Sequence, residues 1–256
     1  MENYLMDHPL LVFAVSIVVL WIFTWVGAFV RKWRTVQGED EHADLGLALT
    51  ACLTLLGLII GFSFSMAVNR YDQRKNYEEA EANAIGTEYV RADLLPAADA
   101  ARVRTLLKSY LDQRVLFYET QDQGQLRQID AATAQLQTNL WSAAEAPAAA
   151  QGTAVMALAV SGMNDVLNSQ GYTQAAWWNR IPIAAWGLMV SIAICCNVLI
   201  GYAARRADAK AILFLVLPLV VSIAFLLIAD IDSPRGGLIH VHPHNLASLS
   251  QSLHTN

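Results

Sequence analysis

The sequence predicts an all-α integral membrane protein with four transmembrane helices and a helical bundle inserted between spans two and three. Three observations lead there. Four apolar runs are each long enough to cross a bilayer, which takes about 20 residues of helix. Charged residues make up 15% of the 256, well below the roughly 25% usual in soluble domains. Between the second and third runs lie about 110 residues, enough for a core of their own. Their apolar positions recur at three and four and never alternate as a strand would.

The first span covers residues 9–30. Met1–His8 has no Lys or Arg and no small-residue cleavage site follows, so the run reads as a retained helix and not a signal peptide. Trp21, Trp25 and Trp33 stand towards its end as headgroup anchors, and Arg31, Lys32 and Arg34 close it. Gln37–Ala43 (QGEDEHA) reads as a polar turn, making spans one and two a hairpin over residues 1–68. Its acids Glu39, Asp40 and Glu41 with His42 read as a solvated loop and not a metal site.

The second span, residues 45–68, has no Pro until Pro96. Helix formers continue through its charged sequel, so one nearly unbroken helix is expected from Leu45 to Leu95. About 50 residues of helix reach roughly 75 Å, whereas a hydrocarbon core takes about 30 Å. The remainder opens an extramembrane bundle over residues 69–180. Three further helical patterns complete it. They run through Val103–Tyr118, ended by Gly124; through Leu126–Leu140, ended by Pro147; and through Val155–Leu167, ended near Gly171. Trp177, Trp178, Arg180 and Pro182 mark the return to the membrane. Two more spans fill residues 181–231 as a second hairpin, joined by the short turn AARRADAK, and the last contains Pro218. Residues 232–256 form a tail with a weak apolar helix over Leu246–Leu253.

Two stripes lie side by side on the second span. Gly57, Gly61 and Ser65 recur every fourth residue, a small-residue row that lets another helix approach closely where lipid gives no hydrophobic drive for packing. Thr54, Leu58 and Phe62 form the adjacent row. If several copies packed through the small row, the second row would face a shared axis; otherwise both rows serve packing within one chain and lipid contact.

Catalytic chemistry is not indicated. The sequence has no nucleophile elbow, no phosphate-binding glycine loop and no HExxH or paired-cysteine metal motif, so we expect no enzyme, no cofactor and no bound metal. Cys52, Cys195 and Cys196 sit in apolar runs and read as small buried hydrophobes. Glu78, Glu79, Glu81 and Glu88 share a helix with Arg70, Arg74, Lys75 and Arg91 and read as a solvated or salt-bridged face. His240, His242 and His244 (HVHPH) read as a polar tail. A net charge of −5 gives no reason to expect nucleic acid binding.

Particular residues resemble a known family. Gly61-Phe62, Arg70 eight residues past the Phe, then Tyr71 and Lys75 resemble the second transmembrane helix of bestrophin channels. Asp230-Ile231-Asp232-Ser233-Pro234-Arg235-Gly236 resembles the acidic-Pro-x-Gly turn after the fourth bestrophin span. The runs GFSFSMAVNRYDQR, AIGTEYVRADLLP and DIDSPRGGLI are similar to the bacterial bestrophin-like family, and the likeness extends from Asp44 to Leu246. It implies a homo-oligomer, pentameric as in bestrophins, embedded in the lipid bilayer and conducting inorganic ions. It implies a pore lined by Thr54, Leu58 and Phe62, with family-motif residues Arg70, Tyr71, Asp230, Asp232, Pro234 and Gly236. Two departures stand out. Gly237-Leu238-Ile239-His240 supplies none of the further acids that build the calcium clasp of animal bestrophins, and Thr54 is polar where bestrophin necks are apolar. The rival reading is a non-conducting membrane scaffold or sensor whose bundle binds a partner. Basic residues in the two short turns favour an external bundle. The resemblance implies the reverse, a multi-pass protein of the inner membrane with bundle and both termini cytoplasmic, and we follow it.

Overall fold

The computed structural model describes residues 7–33, 39–203 and 210–255, without the side chains of 39–43 and 210–213. Among them the chain is helical, with no strand. The elements are α1 (Pro9–Trp33), α2 (Glu39–Arg91), a 3-10 turn (Ala92–Leu94), α3 (Ala97–Glu119), α4 (Gln123–Gln151), α5 (Ala154–Trp178), α6 (Ile183–Ala203), α7 (Lys210–Asp232) and α8 (His244–Thr255). Four of the described helices are long and apolar enough to cross a membrane. The chain is an all-α integral membrane protein with four transmembrane helices and a helical bundle inserted between spans two and three.

Helix α2 runs 53 residues without a break, as its freedom from Pro predicts. It starts earlier than expected: Glu39–Ala43, read as part of a turn, are already helical. Acidic residues at a helix N-terminus are favoured by the macrodipole, which outweighs the polar composition that suggested a loop. The side chains of the acidic cluster lie outside the described residues, as do Arg34, Arg205 and Arg206 of the basic turns and most of AARRADAK.

Two compact units emerge. One gathers the described residues up to Tyr71 with Arg180–His240, the other Asp72–Asn179 with the residues from Val241 onward. In the first, α1 packs on α6 and α7. Leu20, Leu56, Ala67, Trp186, Met189, Ala193, Phe225 and Ile228 make its dry centre, with Trp186 and Phe225 edge to face. Of the three cysteines only Cys196 is buried; Cys52 is half-buried, and Cys195, expected inside, is exposed. The tightest crossing is between α1 and α6. A Cβ on Gly27 would collide with the Val198 carbonyl oxygen, and one on Gly201 with that of Thr24. Hydrogen bonds join the same crossing. Thr24 Oγ1 lies 3.0 Å from both the Leu20 carbonyl and Asn197 Oδ1, and Asn197 Nδ2 donates to the Ala193 carbonyl at 2.7 Å. Both polar side chains are fully buried and satisfied, as a low-dielectric interior requires.

In the second unit, α5 packs antiparallel to the latter part of α2. Arg74 donates to the Ala176 carbonyl at 3.4 Å, Tyr77 stacks on Tyr172, Thr173 donates to Glu81 at 3.0 Å, and Glu88 meets Gly162. Rising numbers on one helix meet falling numbers on the other. Helix α3 packs on α4 and on α8.

Three expected helix ends move. Helix α4 passes Pro147 and stops at Gly152, whose φ of 50° gives the left-handed cap that glycine adopts freely. Pro147 is buried and lies in the last turns, where losing one N–H costs little continuity. Helix α5 runs through Gly171 to Trp178, and Gly124 belongs to the first turn of α4, behind the Asp122 cap.

The contrast between glycines yields a prediction. Gly27→Ala should lower the apparent stability of the full chain in detergent by about 1–3 kcal/mol, as overpacking does. Gly171→Ala should raise it by up to about 1 kcal/mol, since nothing lies within 4 Å of the added methyl. Thermal unfolding of both variants beside the parent checks the opposite signs.

Candidate functional site

Successive residues of α2 are turned by about 100°, so its membrane half presents two opposed faces. Leu56, Ser63 and Ala67 fall on one face and are 2%, 4% and 0% exposed; Cys52, Ile59 and Ile60 flank them against the core. Thr54, Gly57, Leu58, Gly61, Phe62 and Ser65 fall on the other, and every one is exposed. Leu58 is 52% and Phe62 62% exposed. The candidate pore row and the small row are therefore neighbours on one outward face, as their spacing requires.

No part of the described chain packs into the small row. A Cβ on Gly57 or Gly61 meets nothing within 4 Å, the reverse of Gly27 and Gly201. Packing of this row inside the chain, one of the sequence alternatives, does not occur among the described residues. Thr54 is less polar than its formula suggests, because its hydroxyl donates to the Thr50 carbonyl at 2.8 Å. The donor is used within the helix, which leaves the methyl and an oxygen on the face.

Further along α2, Arg70 reaches back to Met66 Sδ at 3.6 Å. Tyr71 is partly buried against the first unit's core. The other motif residues build the loop after α7. Asp230 accepts from the backbone N–H of Leu238 at 2.8 Å and of Ile239 at 2.9 Å. Asp232, 2% exposed, accepts from the N–H of Ile181 with both oxygens at 3.2 Å. Ser233 Oγ accepts from the N–H of Gly236 at 3.0 Å. Two glycines are needed here. A Cβ on Gly236 would collide with the Asp7 carbonyl oxygen, and Gly237 has a φ of 102° and abuts Asp230 Oδ1. The loop folds back so that two carboxylates are occupied by backbone donors, and Arg180 pairs with Asp7 beside it. Among the described residues no three His, Cys, Asp or Glu side chains are grouped to hold a metal ion.

The profile of the bestrophin-like domain matches residues 14–246. The chain belongs to the bestrophin-like family. No curated protein matches. Crystal structures of a bacterial bestrophin homologue from Klebsiella pneumoniae share the fold. One aligns with a TM-score of 0.62 at 13% identity, covering 94% of this chain and 96% of that one. A variant of that homologue gives 0.64 at 12%, covering 95% and 94%. A structure described as a membrane protein gives 0.63 at 13%, covering 94% and 96%.

Sequence reasoning missed the charges inside the bundle. Glu78, Glu81, Glu88 and Arg74 are not a solvated face; all are buried. Glu81 does form a salt bridge, but with Arg114 of α3 and not with a neighbour on its own helix. Arg114 Nε donates to Glu81 Oε1 and Nη2 lies 3.4 Å from Oε2, with both side chains fully buried. Burial pulls the Arg114 guanidinium down, yet the Glu81 charge outweighs it and the net shift is upward. Burial, reinforced by Glu81, pushes the Tyr110 and Tyr118 phenols up, so they stay neutral beside the pair. Glu78 caps α8, accepting from the backbone N–H groups of Asn245 and Leu246 at 2.8 and 2.9 Å. The sequence did carry a signal. Glu78, Glu81, Ala82, Ile85 and Glu88 recur at three and four, so the acids share one helix face with apolar residues, and all five are buried.

Asp230→Ala should open the loop after α7. Two backbone donors lose their acceptor, at a cost of about 1–3 kcal/mol each if they stay buried. Limited proteolysis should then cut within residues 235–240 faster than in the parent, while Arg235→Ala, which leaves both carboxylates in place, should not speed cleavage at bonds away from residue 235.

Proposed function

We propose that the chain is a subunit of an oligomeric bestrophin-like ion channel in which α2 lines the pore. The observation that carries this reading is the outward face of α2. Thr54, Leu58 and Phe62 stand exposed beside Gly57 and Gly61, over which nothing in the described chain closes. Membership of the bestrophin-like family supports copies of the same chain as what covers it. Small residues let neighbouring α2 helices approach closely, and the adjacent row then meets near an axis. In this reading the oligomer is a pentamer, as in bestrophins, held in the lipid bilayer of the inner membrane with bundle and termini cytoplasmic, and inorganic ions pass through it.

The mechanism follows from hydration. A ring of Phe62 side chains with Leu58 below offers an ion no polar partner, so wetting the constriction is costly and few ions pass at rest. Phe62→Ala widens the ring and removes that cost. Purified protein in liposomes should show flux well above the parent with oligomer size unchanged. An intact oligomer silent in both forms would count against the channel and favour a scaffold; a stable monomer in mild detergent would count against both the ring and the pore.

A second test separates assembly from folding. Gly61→Leu should reduce oligomer yield while leaving protomer stability nearly unchanged, because no atom of the described chain opposes a Cβ at that position. Leu56→Ala should do the opposite, costing about 2–5 kcal/mol of stability with smaller loss of oligomer. Size-exclusion chromatography with light scattering, beside thermal unfolding, reads both. Equal oligomer yield from the two variants would place the small row against something other than a second copy.

A further inference from the structure

We propose that Glu88 is a proton-operated switch that sets how firmly α5 is held against α2 in the bundle. Its carboxylate is fully buried, and among the described residues neither oxygen finds a hydrogen-bond partner. It lies on Gly162 of α5, whose missing Cβ provides the space: a Cβ there would collide with Glu88 Oε2 and with Arg91 Nη1. The other acids of this stretch are committed, Glu78 to the N-terminus of α8 and Glu81 to Arg114 and Thr173. Glu88 alone of the three is enclosed without such partners.

An enclosed carboxylate of this kind favours its neutral form. The charged groups acting on it are Arg91 from α2 itself and Asp165 from α5. Burial pushes Glu88 up from 4.5 to about 8; Arg91 opposes this and Asp165 adds to it. When the α2·α5 contact opens, water reaches the carboxyl and its affinity for a proton falls to the ordinary glutamate range. The packed form therefore holds a proton that the opened form has released, at every pH between those two values. Stability linked to proton binding falls as pH rises wherever the native state binds more protons. The contact is thus at full strength at the acid end of the window, weakens as pH rises through it, and levels off once Glu88 is ionised in both forms. This operates across neutral pH and does not depend on whether the protein conducts.

Hydrogen–deuterium exchange of the full chain in detergent tests the switch, read on peptides from α5 around Gly162 and corrected for the pH dependence of intrinsic exchange. In the parent, opening should increase by up to about tenfold per pH unit between roughly pH 5.5 and pH 7.5, the limit for release of one proton. Glu88→Gln, which cannot ionise, should remove that slope. Asp165→Asn keeps Glu88 and removes an exposed charge that raises it, so the levelling-off should move to lower pH. A parent without pH dependence in α5 overturns the proposal, as does a slope that survives in Glu88→Gln or a levelling-off unmoved by Asp165→Asn. If Glu88→Gln does not fold, the parent and Asp165→Asn still decide between the outcomes.

Discussion

The uninterrupted hydrogen-bond ladder of α2 is the constraint on which the remaining structure depends. Beyond the first turn, each peptide N–H of this 53-residue helix bonds four residues back, so every side chain has a fixed azimuth. In the membrane half that azimuth turns Leu56, Ser63 and Ala67 inward and Thr54, Leu58 and Phe62 outward. In the later half it turns Arg74, Glu78, Glu81 and Glu88 into a protein interior. One local geometry thus places apolar side chains outside in one half and ionisable ones inside in the other.

Glycine serves two different ends in the apolar helices. At Gly27 and Gly201 the absence of a side chain lets two backbones meet, and Thr24 and Asn197 add a hydrogen bond at the same level. Van der Waals contact and interhelical hydrogen bonding are the available sources of cohesion where lipid is as apolar as the side chains. At Gly57 and Gly61 the same residue type creates a shallow open surface within the chain. Spacing alone does not distinguish these cases, for isolated glycines made the tight crossing and the regular row remained uncovered.

Four buried acids, unlike Glu88, follow a common rule with different partners. Asp230 and Asp232 are met by backbone N–H groups of the loop and of Ile181, Glu78 by the first turn of α8, and Glu81 by a guanidinium. Backbone donors fix chain path, because a carboxylate that accepts two of them leaves a loop little freedom. The Glu81–Arg114 pair instead ties α2 to α3 across the bundle, and losing either member would strand a charge away from water.

Much of the fold was legible in the residues. Apolar runs of bilayer length gave the four spans, absence of Pro gave the continuity of α2, and the small and apolar rows on that helix fell on adjoining stripes, because all of these are local properties of a helix. The resemblance in Gly61-Phe62 and Asp230–Gly236 also pointed to the right family. Tertiary structure alone decided which face of α2 the chain would cover, that Arg114 from 33 residues away would enter the bundle to meet Glu81, and that Gly27 would meet the Val198 carbonyl and Gly201 that of Thr24. The helix ends expected at Pro147 and Gly171 moved for the same reason, since packing of Pro147 and the neighbouring helices overrides a weak local break; Gly124 instead lies behind a local signal, the Asp122 cap of α4. Composition and periodicity determine what each segment can be; which partner satisfies a buried charge or fills the space above a glycine depends on contacts between residues distant in sequence, and those exist only once the helices have packed.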